Sequence, residues 1–260
     1  MGVRGLKATI VSTSPGKLVR SRRASGYRAT RDGKVVGPKL RGVARMLVEH
    51  VYSGAQLPVQ RDGGPSGYAG GAWNGDGRRR GAAVDAQVSR LAKASPSVRN
   101  ASRKLLLTRV TFDALAYHGL HPIEAQRVVL DVNRRLATAI DVVCVSAERS
   151  DELWLIEIKT GFRGDRSSPA RDARGEAIKM RVPLTTASDC ALHQHLAQLA
   201  ATRELFVRET STLKALKKVG GITRVVGALL YVTPSASELH RLPPWWVRRG
   251  AKILDHLSTC

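Results

Sequence analysis

Two apolar segments interrupted by ionisable residues constrain this chain more than any other feature. Asp141 lies within the segment LATAIDVVCVS, and after fifteen intervening residues Glu157 and Lys159 lie within the segment LWLIEIK. Both segments are rich in β-branched and other apolar residues, which favours two largely buried strands. Because a buried carboxylate is costly unless it binds a metal or a partner charge, each acid is a candidate functional residue.

The spacing of these residues predicts how they face one another. The polar segment between the two strands suits a turn, so the strands are predicted to form a hairpin. Because side chains alternate between faces, Glu157 and Lys159 share one face of the second strand. On the first strand, Asp141 shares its face with Val143 and Val145. The hairpin can therefore bring the aspartate to the glutamate and lysine, whereas the alternative is an ordinary surface ion pair on an edge strand.

The I-D…E-I-K-T-G pattern resembles the PD-(D/E)xK nuclease superfamily, particularly the branch that contains RecB-type and phage-lambda-type exonucleases. The similarity covers about residues 78–235 and includes the order of elements: a helix, three strands, a helix with glutamines and a fourth strand. Ile140 replaces the proline of the family name, and Ile-Asp is common in that branch. The resemblance implies an α/β, restriction-endonuclease-like core in which helices flank a four-stranded mixed sheet.

The same resemblance implies a metal-dependent reaction. Asp141, Glu157 and the backbone carbonyl of Ile158 would hold Mg²⁺ or Mn²⁺ through hard oxygen ligands. The metal would activate water for hydrolysis of a phosphodiester. Lys159 would orient that water or stabilise the charge that builds on the phosphate.

Two further acids are candidate metal ligands. Val84, Val88 and Leu91 form one helical stripe, and Asp85 lies beside it. The family carries an acidic residue or a histidine in its first helix, and Asp85 matches it; the alternative is a solvated acid favoured by the helix dipole. Glu124, on the first predicted strand, is either a further metal or water ligand or a salt-bridge partner for an arginine.

A later helix carries two glutamines that are candidate catalytic residues. Gln194 and Gln198 are four residues apart and so share one helix face. The family often has a glutamine one turn before a tyrosine, where it contacts the active-site lysine or a DNA phosphate. Either Gln194 matches it, with Gln198 at the tyrosine position, or Gln198 matches it, with Thr202 there. The nearby His195 is predicted to face elsewhere, at the surface.

Charge favours a polyanionic partner. The chain has 43 lysines and arginines against 21 acids, a formal net charge of +22, which favours attraction to a polyanion. Ribosomal, packaging and membrane-surface proteins share such a charge; with DNA, the partner that the resemblance implies, phosphate contacts would dominate binding. Aromatic residues are only 5%, too few for the stacking surfaces of single-strand binders. The three cysteines lack a CxxC motif, so an intracellular, reducing compartment is expected. No apolar run is long enough to predict a membrane span.

Composition also suggests how the chain is organised. Residues 1–53 form a basic extension, with twelve lysines and arginines against two acids in the first fifty residues. It could be an organelle-targeting sequence, a nucleic-acid-binding arm or a small structured cap, so a nuclear or organellar location is open. Residues 54–80 are predicted to be a glycine-rich linker or loop, and residues 81–260 the nuclease domain. A polar insertion at 163–187 would border the cleft and supply arginines to phosphates.

The expected function is therefore a Mg²⁺-dependent deoxyribonuclease. Resemblance to the RecB and lambda branch makes it an exonuclease that acts on duplex ends, in recombination, repair or viral genome processing. One alternative is a structure- or sequence-specific endonuclease of the same fold. The other is a non-catalytic, basic nucleic-acid-binding protein. The sequence gives no prediction of oligomeric state.

Overall fold

The apolar segments form a mixed sheet flanked by helices in a computed structural model that describes residues 17–20, 27–31, 34–53, 76–160 and 165–260. Its strands are β1 (Lys17–Arg20), β2 (Tyr27–Arg31), β3 (Lys34–Gly42), β4 (Leu120–Asp131), β5 (Leu136–Ser146), β6 (Glu152–Thr160), β7 (Arg224–Val232) and β8 (Ser237–Arg241). Its helices are α1 (Val43–His50), α2 (Asp76–Lys93), α3 (Pro96–Ala101), α4 (Leu106–Tyr117), α5 (Ala191–Arg208), α6 (Thr210–Gly220) and α7 (Pro244–Thr259). The predicted α/β class is confirmed.

The sheet is wider than the four strands predicted. Strands β4, β5 and β6 form an antiparallel meander, β7 runs parallel to β6, and β8 runs antiparallel to β7. The end of β3 also joins the sheet, because Arg41 pairs with Leu136 in parallel. The sheet is thus mixed and open, with about six strands around the meander. The sequence SELHR of β8 alternates too weakly in polarity to be recognised as a strand.

Alternating side chains give the sheet two apolar faces. On one face the odd-numbered residues of β6, such as Leu153 and Leu155, pack with α1, α5 and α7. On the other face Trp154 and Ile156 pack with α2 and α4. Glu157 continues the first series toward the end of the strand. The predicted alternation along β6 is therefore confirmed for its apolar residues.

The described part of the basic extension is built into the fold. Val43, Met46 and Leu47 of α1 are buried in the same core as β5 and β6, so the end of the extension is part of the folded domain. The predicted boundary at residue 81 falls inside α2, which already begins at Asp76. The predicted linker otherwise lies outside the described residues. Within those residues, no helix combines the length and apolarity needed to cross a bilayer.

Two separate helices, α3 and α4, come before the first strand of the meander. The backbone N–H and the hydroxyl of Ser102 both donate to the carbonyl oxygen of Val98. This serine thereby ends α3, because its side chain offers the backbone an alternative to helical hydrogen bonding. Leu105 then adopts an extended conformation, with φ −59° and ψ 149°, immediately before α4.

Helix α7 crosses α5 at a point where there is no room for a side chain. A Cβ atom added at Gly250 would lie 2.8 Å from the carbonyl oxygen of Ala200 and 3.1 Å from Cβ of Glu204. Both residues belong to α5, the helix that carries Gln198. The close approach of the two helices therefore fixes where α5 lies on the sheet.

Gly250→Ala is expected to destabilise the protein by about 1–3 kcal/mol, because the methyl group pushes α7 away from α5. This loss should occur even though alanine favours helix more than glycine does. Lys252→Ala, on the exposed side of α7, should change stability by no more than about 0.5 kcal/mol. Urea denaturation of the two variants checks the packing, and an unchanged midpoint for Gly250→Ala would contradict it.

Candidate active site

The acidic residues lie where the β5–β6 pairing ends. The last residue pair of that ladder is Val142 with Ile156, and Asp141 and Glu157 follow directly beyond it. The Ile158 N–H donates to Oδ2 of Asp141 at 2.8 Å. The Asp141 carboxylate therefore accepts the hydrogen bond of an N–H that has no partner on β5, because the two strands separate at this point.

Glu157, Lys159 and Gln198 form a closed set of contacts. Lys159 Nζ lies 2.8 Å from Oε1 of Glu157 and 3.1 Å from Oε1 of Gln198. The side-chain amide of Gln198 donates to the same Glu157 oxygen at 2.7 Å. Glu157 is buried and Lys159 is only 15% exposed. The ammonium group is thus held in place, and the glutamine that contacts it is Gln198.

Gln126 brings the acid of α2 to the same place. Its side-chain amide donates to Oδ1 of Asp85 at 2.8 Å and to Oδ1 of Asp141 at 3.4 Å. The six side chains now described are called the carboxylate cluster. Its members are Asp85, Gln126, Asp141, Glu157, Lys159 and Gln198. Gln126 was not among the site residues predicted from the sequence.

Regular strand geometry is interrupted at the cluster. Gln126 has φ +53°, in the left-handed region that a residue other than glycine occupies at a cost of about 1–3 kcal/mol. It lies opposite Asp141, between the pairs Ala125–Val142 and Arg127–Ile140. Ile140 and Val143 pack in the same apolar cluster although they are three residues apart. The regular alternation from which Asp141 was predicted to share a face with Val143 and Val145 is therefore interrupted at this residue.

Like charges converge in the carboxylate cluster. Burial, and then the charge of Glu157, raise the pKa of Asp141 well above its usual range, while the Ile158 N–H and Lys159 oppose the shift. The pKa of Asp85 is also raised, by partial burial and then by Glu157, although much of its surface is accessible to solvent. The charge of Glu157 thus disfavours ionisation of both aspartates.

The donor chemistry of the cluster suits a hard divalent cation, but its geometry is not that of a formed metal site. Among the described residues, no group of three or more His, Cys, Asp or Glu side chains is arranged to hold a metal ion. The carboxylates instead accept hydrogen bonds from N–H groups of Gln126, Ile158, Lys159 and Gln198. The site contact found for Ile158 is this N–H rather than the carbonyl predicted from the sequence.

Two predicted site residues lie elsewhere. Glu124 is buried 3.8 Å from Nη1 of Arg127, whose Nη2 lies 3.0 Å from Glu209. Its position supports the salt-bridge alternative rather than a ligand role. The side chain of Gln194 donates to Oδ1 of Asp189 at 2.7 Å and so does not contact the lysine. Gln194 lies one turn before Gln198 on α5.

Other residues beside the cluster were not predicted from the sequence. His195 is partly buried, and its Nδ1 lies 2.8 Å from the Tyr231 hydroxyl, so its predicted surface position is wrong. Tyr52, which follows α1, donates to the carbonyl oxygen of Gln194 at 2.7 Å. Burial, and then the charges of Asp189 and Glu157, raise the pKa of this tyrosine. Neither residue belongs to a sequence pattern, because each meets the site only through packing.

Asp141→Asn is expected to stabilise the metal-free protein by about 0.5–2 kcal/mol at pH 8. The raised pKa means that ionised Asp141 opposes folding; this cost is absent below the ordinary carboxyl pKa of about 4 and grows as pH rises through the folded-state pKa. Urea denaturation at pH 4 and pH 8 should therefore show a gain at pH 8 that shrinks at pH 4. Asp255→Asn, which removes an exposed carboxylate paired with Arg134, should give no such gain. A variant less stable than wild type at pH 8 would contradict the prediction.

Comparison with known proteins does not identify a family. No protein-family model matches the chain, and no curated protein is significantly similar to it in sequence.

Proposed function

We propose that the protein is a metal-dependent deoxyribonuclease that hydrolyses phosphodiester bonds. The observation that carries this proposal is the meeting of Asp141, Glu157 and Lys159 at one point, where β5 and β6 separate. An ion pair on an edge strand would need neither the aspartate nor the glutamine that contacts both partners. Here Glu157 is buried, and β6 has β5 on one side and β7 on the other.

The order of elements around the cluster supports the restriction-endonuclease-like part of the proposal. Helix α2 precedes the meander of β4, β5 and β6, and α5 then leads to β7, which lies parallel to β6. This is the order expected for PD-(D/E)xK nucleases from the resemblance of the sequence. The contact of Gln198 with Lys159 also matches the role that the glutamine has in that family.

Each residue of the cluster has a role in this proposal. Asp141, Glu157 and the Ile158 carbonyl would hold Mg²⁺ or Mn²⁺, with Asp85 as a further ligand. The amide of Gln126, which donates to Asp85 and Asp141, would release a carboxylate oxygen of these residues to the metal. When bound, the metal would polarise a phosphoryl oxygen and lower the pKa of a coordinated water molecule. Lys159 places its ammonium group to orient that water or to stabilise the charge on the phosphate. Gln198 is a positioning residue, because it holds Lys159 and Glu157 together.

Net charge supports DNA as the substrate. At +22, the chain should bind duplex phosphates with strong dependence on salt. Action on duplex ends, as an exonuclease in recombination, repair or viral genome processing, is the form of the proposal that follows from the family resemblance. An endonuclease of the same fold would use the same cluster.

Lys159→Ala is expected to lower kcat for Mg²⁺-dependent degradation of linear duplex DNA by about 10²–10³-fold, the cost of losing one charge-stabilising group. Asp141→Ala should be similarly inactive, and EDTA should abolish wild-type turnover. Lys217→Ala, an exposed lysine on α6, is the matched control and should retain activity. Unimpaired cleavage by both purified active-site variants would refute the assignment.

A covalently closed circular duplex separates the two nuclease modes. With Mg²⁺ present, the wild-type protein should degrade linear DNA progressively and leave the closed circle whole, because an end-dependent enzyme finds no terminus there. Linearising the circle with a restriction enzyme should make the same DNA a substrate. Nicking or cutting of the intact circle would favour the endonuclease and reject the end-dependent mode.

The second candidate function is non-catalytic nucleic-acid binding. Two observations favour it: the high positive charge and the lack, among residues that the structure describes, of a metal site already formed. This candidate predicts DNA binding that EDTA does not alter, with no turnover in Mg²⁺ or Mn²⁺. A binding isotherm and a cleavage gel on the same preparation discriminate between the two functions.

A further inference from the structure

Arg166, in the segment between β6 and α5, is held by three separate elements. Its backbone oxygen accepts from the Leu192 N–H at 2.9 Å, at the start of α5. Its guanidinium lies 4.0 Å from the centre of the Tyr231 ring on β7 and pairs with Glu238 on β8. Both its backbone and its charged end are therefore positioned, whereas an exposed surface arginine is normally mobile.

The position of Tyr231 places this arginine close to Lys159. Lys159 and Tyr231 are direct partners in the parallel β6–β7 ladder, so their backbones are about 4.8 Å apart. Both lie toward the carboxyl ends of their strands, the edge at which open α/β sheets bind ligands. A guanidinium stacked on the Tyr231 ring is thus one strand away from the ammonium group of the cluster.

The electrostatics of His195 give independent support for this proximity. Its Nδ1 lies 2.8 Å from the Tyr231 hydroxyl. Burial, and then the charges of Lys159 and Arg166, lower the pKa of His195 well below its usual range. Two cations therefore act on one partly buried imidazole, which places both of them near it. Lys159 and Arg166 therefore lie on the same side of the sheet edge, each paired with a carboxylate.

We propose that Arg166 binds a DNA phosphate next to the scissile one and so positions the strand against Lys159. This inference rests on the proposed nuclease function and adds a substrate-binding residue to it. A guanidinium can donate two parallel hydrogen bonds to a phosphate, which fixes direction as well as charge. Glu238, whose side chain is 52% exposed, pairs with the guanidinium in the absence of DNA. The phosphate displaces this carboxylate when it binds.

The test is the salt dependence of binding to a blunt 20-base-pair duplex, with Ca²⁺ in place of Mg²⁺ to slow turnover. Arg166→Ala should raise Kd about 10–100-fold, the range for a hydrogen bond to a charged group. It should also lower the slope of log K against log salt by about 0.9, the value for one lost phosphate contact. In Mg²⁺, KM should rise similarly while kcat changes little.

Arg208→Ala is the matched control. Arg208 is 27% exposed against 20% for Arg166, and it too pairs with carboxylates, Glu204 and Asp255. It ends α5, ten residues beyond Gln198 and so about 15 Å along the helix. Its loss removes the same charge but at a distance from the cluster. We therefore expect Arg208→Ala to change Kd less than about 2-fold and to leave KM unchanged.

Outcomes that would overturn the inference are distinct from failure of the nuclease proposal. If Arg166 only stabilises the fold through its contacts with Tyr231 and Glu238, Arg166→Ala will lower stability or kcat and leave the salt slope and KM unchanged. If that variant does not fold, Arg166→Lys decides: it keeps the charge but loses the paired hydrogen bonds, so an unchanged Kd and KM reject the proposal. A wild-type protein that binds DNA without cleaving it sinks the proposed function, while the salt slope still tests the phosphate contact.

Discussion

The hydrogen bond from the Ile158 N–H to the Asp141 carboxylate is the interaction on which the site depends. It forms where β5 and β6 stop pairing, so the aspartate replaces the strand partner that this N–H would otherwise have. The bond fixes the carboxylate between the two strands rather than on either outer surface. Without this bond, the Ile158 N–H would be an unsatisfied donor, and no other backbone contact within the described ranges would hold the Asp141 carboxylate near Glu157.

Placing several acids at one point costs stability, and the structure shows how the cost is limited. Burial, and then the charge of Glu157, raise the pKa of Asp141 and of Asp85. Each carboxylate nevertheless accepts a hydrogen bond, from Gln126, from the Ile158 backbone, or from Lys159 and Gln198. Gln126 adopts a left-handed conformation to take part. Strain and like-charge repulsion at the same position are typical of a site kept for function rather than for stability.

The cluster draws on both sides of the sheet, and this is possible because the strands separate there. Helix α5 supplies Gln198 from one face, and α2 supplies Asp85 from the other. Contact with α7 at Gly250 fixes α5 closely enough for its glutamine to reach Lys159. Beyond the cluster, β7 and β8 hold Tyr231 and Glu238, which position Arg166 at the same edge. The fold thus brings cationic and acidic groups together along one edge of the sheet.

The sequence by itself determined the α/β class, the hairpin of β5 and β6, and the position of Glu157 and Lys159 on one face of β6, because period-two patterning and burial are local properties. It did not decide which glutamine contacts Lys159, since Gln194 and Gln198 share one helix face and differ only in the residues that pack opposite them. It also missed Gln126, Tyr52 and the partners of Arg166, and it counted too few strands. These depend on contacts between residues far apart in the chain, where no local pattern marks the partner. Only the tertiary structure could decide them, because the separation of two strands and the close approach of two helices select which side chains meet.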